Sequence, residues 1–414
     1  MTNKIIKLMK TLLFSLLVSL LLNSTIAQTW TQKSNIPPGS GISSRLASTS
    51  FSNYDTLAFV LGGLRGNTVY SDFWQYNSFN DTWLKKANFP GGPKYGHISF
   101  VIDSIAYVGF GSNQAGTLST QFWAYNMNTD AWNTIASFPG DGRVYPSAIT
   151  INSKGYVGGG IKFVSGNAIY LDDFWEYNPV LNTWIQKSDY PGGLRVGMIA
   201  FGKGNKGYMG YGESPGFFET DFYEYIPSTD TWTLLLGSPY TAISFGSAVT
   251  LGNKAYVIGG EFQHLMYTAN VWEYDVSNNL WQPIISFPDT PRRNAISFVL
   301  NNDIYYGTGQ IGANENNVTD DLWLLGNLST TSINDRLSDR NIIIYPNPLQ
   351  NNLTIESPDK IKTLKIYNTQ GKIVYSQFNL KKNEINLSFL RSGIYLLKVE
   401  TNTSLIINKR LIKK

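Results

Sequence analysis

Cysteine is absent from all 414 residues, and histidine occurs only twice. The first absence removes disulfides, thiol nucleophiles, Cys-x-x-Cys redox pairs and cysteine-based zinc sites. The second leaves His97 and His264 in no spacing that suits a metal centre, so neither a metal nor a cofactor is expected. Charged residues make up 15% of the chain, well below the roughly 25% of an average globular domain. Beyond Leu12–Leu22 no run is long or apolar enough for a membrane span, which needs about 20 residues. The repeat region shows no sustained helical periodicity, and neither a Gly-x-Ser-x-Gly nucleophile elbow, a glycine-rich phosphate loop nor a calcium loop is expected. No catalytic constellation is expected.

What the chain does have begins at its N-terminus. Lys4, Lys7 and Lys10 precede the apolar run, and Thr25 and Ala27 follow it, the pattern of a secretory signal peptide over residues 1–27 with the cut before Gln28. The formal charge of +4 is unevenly spread: residues 28–330 hold 16 basic and 23 acidic residues, whereas 331–414 hold 14 and 6. The central body is therefore acidic, which speaks against a nucleic-acid partner.

The tryptophans set a period. Trp30, Trp83, Trp132, Trp184, Trp232 and Trp281 are 53, 49, 52, 48 and 49 residues apart. A second phase runs through Trp74, Trp123, Trp175, Tyr223, Trp272 and Trp323. A third, from Phe59 through Tyr107, Tyr156, Tyr208 and Tyr256 to Tyr305, stands shortly before glycine pairs such as Gly62-Gly63 or split pairs such as Gly109 and Gly111. Each unit reads as four short strands, for example Ser99 to Ile102, Ile105 to Gly109, Phe122 to Asn126 and Ala131 to Ala136. The recurring tryptophans are expected to pack between units.

Glycine pair, aromatic and later tryptophan in register resemble the kelch repeat over residues 28–326. The resemblance implies an all-β, six-bladed kelch-type β-propeller. The last unit ends at Trp323-Leu324-Leu325 without a fourth strand, and Thr29-Trp30-Thr31-Gln32 lacks the preceding three, so the N-terminal strand is expected to close blade six. Residues 327–339 read as a polar linker. From 340 to 414 the Tyr345-Pro346-Asn347-Pro348 start, the Gly393-Ile394-Tyr395 strand and the Lys413-Lys414 end resemble the C-terminal sorting domain of the type IX secretion system. That implies a small β-sandwich handled by the type IX secretion machinery, and a chain secreted or attached to the outer surface of a Gram-negative cell. An adhesive immunoglobulin-like domain is the alternative.

Counting back from the third aromatic set places Arg45, Lys94, Arg143, Arg195, Ile243 and Arg292 at one repeat position. Two readings stand. The cations ring the channel mouth as an electropositive funnel for a carboxylate or acidic sugar, or they are repeat residues that stack on aromatics and bond loop carbonyls. Asp72, Asp173, Asp221 and Asp321 recur too regularly for a site and are expected to bond strand ends. Off-pattern aromatics, Tyr170, Phe218 and Phe262 foremost with Phe217 and Tyr267, lie in the loops after the glycines and suit stacking on a ligand. Those loops are longest in blades three and six, Ile161 to Asp172 and Gln310 to Asp320. Glu213, Glu219, Glu261 and Glu315 lie there too, with surface solvation the expected role of each. Kelch-type copper oxidases rely on a cysteine-linked tyrosine and paired histidines, which this chain lacks. The leading expectation is a binding module for an extracellular glycan or protein. The alternative is a sugar-modifying enzyme resembling sialic-acid mutarotases, which would need an arginine and a glutamate around one pocket. A structural surface component is the third.

Overall fold

The computed structural model describes residues 28–37, 43–53, 55–235, 242–326, 328, 343–346, 349–357, 360–368, 372–380, 383–402 and 406–414. The leader and almost all of the 327–339 stretch lie outside these. The described residues form strands and turns, with no helix.

Six four-stranded antiparallel sheets follow in chain order. Blade 1 comprises Thr49–Ser52, Leu57–Leu61, Phe73–Asn77 and Thr82–Lys85, and blade 2 Tyr95–Ile102, Ile105–Ser112, Phe122–Asn126 and Ala131–Thr134. Blade 3 comprises Ser147–Ile151, Lys154–Gly158, Phe174–Asn178 and Thr183–Lys187, and blade 4 Ile199–Lys203, Lys206–Gly210, Phe222–Ile226 and Thr231–Leu234. Blade 5 comprises Ser247–Leu251, Lys254–Ile258, Val271–Asp275 and Leu280–Pro283. Blade 6 takes Ile296–Leu300, Asp303–Gly307 and Leu322–Gly326 from the end of the repeat region, and its fourth strand is Thr29–Lys33, with Trp30 opposite Leu325. The first strands neighbour one another in turn, and that of blade 1 touches those of both blade 2 and blade 6, so the ring is closed.

The residue pattern of each strand follows from its place in the blade. Second strands are covered on both faces and read as unbroken apolar or small residues, as in Ile105-Ala106-Tyr107-Val108-Gly109. Fourth strands face solvent and keep one tryptophan turned inward among largely exposed neighbours, half-buried as in Ala131–Thr134 or buried as Trp281 is in Leu280–Pro283. That tryptophan packs on the preceding unit: Trp132 lies 5.4 Å from Phe73 and 5.0 Å from Phe89, and Trp184 lies 4.8 Å from Phe122 and 5.3 Å from Phe138. The turns between third and fourth strands are set locally. Tyr76, Tyr125 and Tyr225 each donate to an aspartate five residues on, Asp81, Asp130 and Asp230, at 2.7 Å, and each of these aspartates has a positive φ near 55°. First strands of neighbouring blades are tied by hydroxyls: Ser50 Oγ donates to Ser297 O at 3.0 Å, Ser99 Oγ to Ser50 O at 3.1 Å, and Thr150 Oγ1 to Val101 O at 2.9 Å. They line a channel of about 460 Å³ that also reaches Asn152, Lys203 and Gly204, at the turns between first and second strands.

The C-terminal region has a three-stranded sheet (Ile343–Tyr345, Asn352–Glu356, Glu384–Asn386) and a four-stranded one (Ile373–Phe378, Ile361–Tyr367, Gly393–Thr401, Ile406–Lys413). Leu353 and Ile355 from the first share one core with Leu364, Ile366, Leu397 and Val399 from the second.

Candidate ligand-binding site

The four arginines at the counted repeat position do not offer charge to the channel mouth. Arg45, Arg143, Arg195 and Arg292 are 0–2% exposed. Arg143 Nη2 reaches Asp173 Oδ2 at 2.8 Å while its Nη1 donates to Asp173 Oδ1 at 2.5 Å and to Gly159 O at 3.1 Å. Its guanidinium lies 5.0 Å from the Phe138 ring and 5.4 Å from that of Phe110. Arg45 repeats this with Asp72, Gly62 O and the Tyr70 ring, Arg195 with Asp221, Tyr211 O and Tyr190, and Arg292 with Asp321, Thr308 O and Phe287. Three of these aspartates also accept from the tryptophan two residues on: Asp72 Oδ2 from Trp74 Nε1 at 2.8 Å, Asp173 Oδ2 from Trp175 Nε1 at 2.8 Å and Asp321 Oδ2 from Trp323 Nε1 at 2.9 Å. Burial would raise the Asp72 carboxyl, but the Arg45 hydrogen bond and charge and the Trp74 indole outweigh it, and the net shift is downward.

The two remaining blades make the structural role plain. Blade 2 has Lys94 with Gln121 at these two positions, and blade 5 has Ile243 with Asn270, so the aspartate is absent wherever the arginine is. Lys94 is half-buried, and burial lowers its pKa. The electropositive funnel is thus corrected to a set of internal clamps between each blade's entry loop, glycine pair and third strand.

The mouth of the channel lies two residues further along the repeat. Ala47, Gly96, Tyr145, Gly197, Phe245 and Asn294 all have φ between 52° and 65°. Backbone bonds run between successive ones: Gly96 N to Ala47 O at 3.0 Å, Tyr145 N to Gly96 O at 2.8 Å, Phe245 N to Gly197 O at 2.9 Å, Asn294 N to Phe245 O at 2.9 Å and Ala47 N to Asn294 O at 3.2 Å. This collar narrows the channel around a recess of about 140 Å³. Gly197 leaves room for the ring of Phe245, which a Cβ there would meet at 2.9 Å, and Phe245 packs edge-on against Tyr145 at 5.3 Å from across blade 4. Tyr95 adds a third ring 6.2 Å from Tyr145.

The walls above this aromatic floor differ in character. Each residue before the collar position bridges to the start of the excursion that leaves the second strand: Leu46 to Leu64 and Val144 to Ile161 in blades 1 and 3, but Val196 to Glu213, Ser244 to Glu261 and Arg293 to Gln310 in blades 4 to 6. One side is apolar, and the other carries two carboxylates, an amide and a guanidinium. Arg293 Nη1 is ion-paired with the buried Glu261, and its Nε donates to Gln310 Oε1 at 3.0 Å. Its guanidinium lies 5.5 Å from the Phe245 ring and 5.6 Å from that of Tyr267, with 22% of the side chain exposed. Burial raises the Glu213 carboxyl above its ordinary value and the Glu261 charge adds to this, against the Ser244 hydroxyl, Arg293 and His264. The expectation that Glu213 and Glu261 are solvated surface carboxylates is therefore corrected, because the bridging register turns both inward.

Of the aromatics singled out in the sequence, Tyr170 is half-buried on the blade-3 excursion, where burial and the Glu213 charge raise its pKa. Phe218 is the cross-strand partner of Glu213. Phe262 is half-buried at the register shift between Glu261 and Gln263. Tyr170 and Phe218 thus border the polar wall through Glu213. The expectation that no Gly-x-Ser-x-Gly elbow occurs is corrected: Gly212-Glu213-Ser214-Pro215-Gly216 fits the formula, but it lies on a two-stranded ribbon rather than a strand-to-helix turn, and Ser214 Oγ donates to Glu219 Oε1 at 2.6 Å. No group of three or more His, Asp or Glu side chains among the described residues could hold a metal ion. Sequence reading passed over Arg293, and its signal was a departure: the equivalent residues are Leu46, Tyr95, Val144, Val196 and Ser244.

His97 lies in the recess beneath the collar, and burial pushes its imidazole down to about 3 while the Leu61 backbone acts in the other direction. An unfolded histidine titrates near 6.5, so protons favour the unfolded chain below that value. The stability this group confers is constant above about pH 6.5 and is lost as pH falls towards 3. Asp303, raised by burial to about 6, has the opposite slope, since its burial is favourable only while it is protonated. In urea melts from pH 7 to pH 4, His97→Met, which installs the blade-4 residue, is expected to lose less stability than the parent, by several kcal/mol at most. Asp303 is common to both chains and cancels. Parallel pH curves would refute a neutral buried His97.

Residues 343–414 match the family model described as a secretion system C-terminal sorting domain, and residues 243–284 match the kelch motif. The chain is 30% identical over 131 residues to kelch domain-containing protein 3 of Rattus norvegicus, covering 28% of this chain and 33% of that protein. It is 26% identical over 173 residues to N-acetylneuraminate epimerase of Pasteurella multocida, covering 31% and 44%. The aligned stretches thus span less than half the length of either relative. The solved structure of YjhT aligns with a TM-score of 0.58 at 18% identity, covering 70% of this chain and 96% of that one, a likeness of fold.

Proposed function

We propose that this chain, a kelch-type propeller exported by way of a type IX C-terminal sorting domain, is a secreted or outer-surface binding module that holds a sugar residue of an extracellular glycan above Tyr145 and Phe245. The division of the bowl carries this reading. A pyranose has apolar C–H faces and a hydroxyl edge; the first suits the Tyr95, Tyr145 and Phe245 rings, and the second suits Glu213, Glu261, Gln310 and Arg293. Tyr170 and Phe218, beside Glu213, extend the stacking surface towards a neighbouring sugar. The buried Glu261 and Gln310 hold Arg293 in place before a ligand arrives, which lowers the ordering cost of binding.

A glycan array of neutral and acidic sugars, probed with the full chain, tests the proposal. Any glycan bound is expected to lose about tenfold or more in affinity with Arg293→Gln, and with Tyr145→Ala, measured at a temperature where circular dichroism shows each variant folded. Retention of binding by both variants would place the ligand elsewhere.

One observation favours a second reading, a sugar-modifying enzyme of the mutarotase type. Glu213, raised by burial, stands beside the Arg293–Glu261 ion pair, which brings two carboxyl groups and a guanidinium to one mouth. The resemblance to N-acetylneuraminate epimerase supplies the substrate to try. Proton NMR of freshly dissolved α-anomer would show accelerated anomer exchange, lost in Glu213→Gln; an uncatalysed rate in the parent rejects this reading alone.

A further inference from the structure

We infer that the exposed tips of the excursions of blades 3 to 5 dock an extended polypeptide segment in which basic and apolar side chains alternate. The excursions of these three blades are two-stranded ribbons with apolar tips. Phe163, Val164 and Ile169 of blade 3 are 46%, 52% and 41% exposed, Phe217 of blade 4 is 70% exposed, and Met266 of blade 5 is 47% exposed. The same connection is polar in blade 1 (Arg65-Gly66-Asn67-Thr68), in blade 2 (Asn113-Gln114-Ala115-Gly116-Thr117) and in blade 6 (Asn314-Glu315-Asn316-Asn317). Since all six units share one fold, folding does not require apolar tips on one arc, and a patch of this kind marks a contact surface.

Two features specify the occupant. The first is backbone. Ile161–Val164 and Asn167–Tyr170 pair only with each other as a two-stranded sheet, apart from the bridge from Ile161 to Val144. A short apolar ribbon with open edges accepts an added strand. The second is charge. Asp172, Asp189 and Glu219 stand around the bases of the ribbons of blades 3 and 4; burial and the charges of Asp189 and Asp173 raise the pKa of Asp172. Nearby cations are already used, Lys162 by Asp141 at 2.6 Å and Arg293 by Glu261, while Arg143 and Arg195 are buried against Asp173 and Asp221. An added strand therefore meets unbalanced carboxylates and apolar tips, which selects Lys or Arg interspersed with apolar residues. A second copy would bring its own carboxylates to these and is disfavoured. This surface does not depend on the glycan reading, because it uses the ribbon tips and not the aromatic floor.

The test pans a library of random peptides of about 12 residues on the immobilised full chain, then measures enriched peptides by fluorescence anisotropy. Enrichment of alternating basic and apolar residues is expected, with affinity falling steeply as salt rises. Phe163→Ser/Val164→Thr/Ile169→Thr and, separately, Asp172→Asn/Asp189→Asn should each weaken binding by about tenfold or more, with melting unchanged. Enrichment of neutral or acidic peptides, no enrichment, or undiminished binding by both variants would overturn the inference. Concentration-dependent self-association abolished by the Phe163 variant would also overturn it, by assigning the surface to a second copy.

Discussion

Arg143→Ile is expected to destabilise the propeller by about 3–5 kcal/mol, because it strands the Asp173 carboxylate and Gly159 carbonyl that the guanidinium now satisfies. Adding Asp173→Asn should recover most of that loss, leaving the double variant within about 1 kcal/mol of the parent. The chain already contains the replacement: blade 5 has Ile243 with Asn270 at these positions and folds as the others do. Denaturant midpoints of parent, single and double variants decide the matter. Equal loss in single and double would mean that arginine packing on Phe110 and Phe138, rather than charge compensation, dominates.

Removal of residues 28–33 should have a larger effect still. Thr29–Lys33 is the only fourth strand that blade 6 has among the described residues, and it is separated in sequence from its partner Leu322–Gly326 by the whole ring. Deletion bares the Leu322–Gly326 edge and takes Trp30 from its edge-on contact with Phe287 at 5.1 Å. Truncating a fully buried tryptophan costs about 3–5 kcal/mol; the half-buried Trp30 contributes less than that, the lost strand pairing with Leu322–Gly326 adds to it, and an open apolar edge adds a route to aggregation. The truncated chain is expected to melt at least about 10 °C lower, or to be recovered as aggregate. Melting at the parent temperature would show that the ring does not rely on its closing strand.

Much of the ring was legible because repetition writes it six times. Trp132 and Trp184 stand at one phase, and their packing on the preceding unit follows from a geometry that every blade shares. The missing fourth strand of blade 6 and the unpaired Thr29–Gln32 gave the closure the same way. The site was less legible for the same reason. Counting by period selects what the blades have in common, and Arg45, Arg143, Arg195 and Arg292 are common because each blade needs its clamp. Arg293, one residue beyond the last of these, breaks the repeat. Glu213 and Glu261 read as surface carboxylates because only the bridging register to Val196 and Ser244 turns them into the mouth. The collar was hidden too: five backbone bonds between blades leave no sequence mark apart from a residue at positive φ, filled here by alanine, tyrosine, phenylalanine and asparagine as well as glycine.

The most direct test compares two substitutions in one titration. With a glycan identified on the array, calorimetry is run on Arg293→Gln and on the clamp exchange Arg143→Ile/Asp173→Asn. Heat lost in the first and retained in the second is expected if the ligand sits in the bowl beside Arg293. Binding retained by Arg293→Gln and lost in a correctly folded clamp variant would contradict this and return the site to the buried arginines.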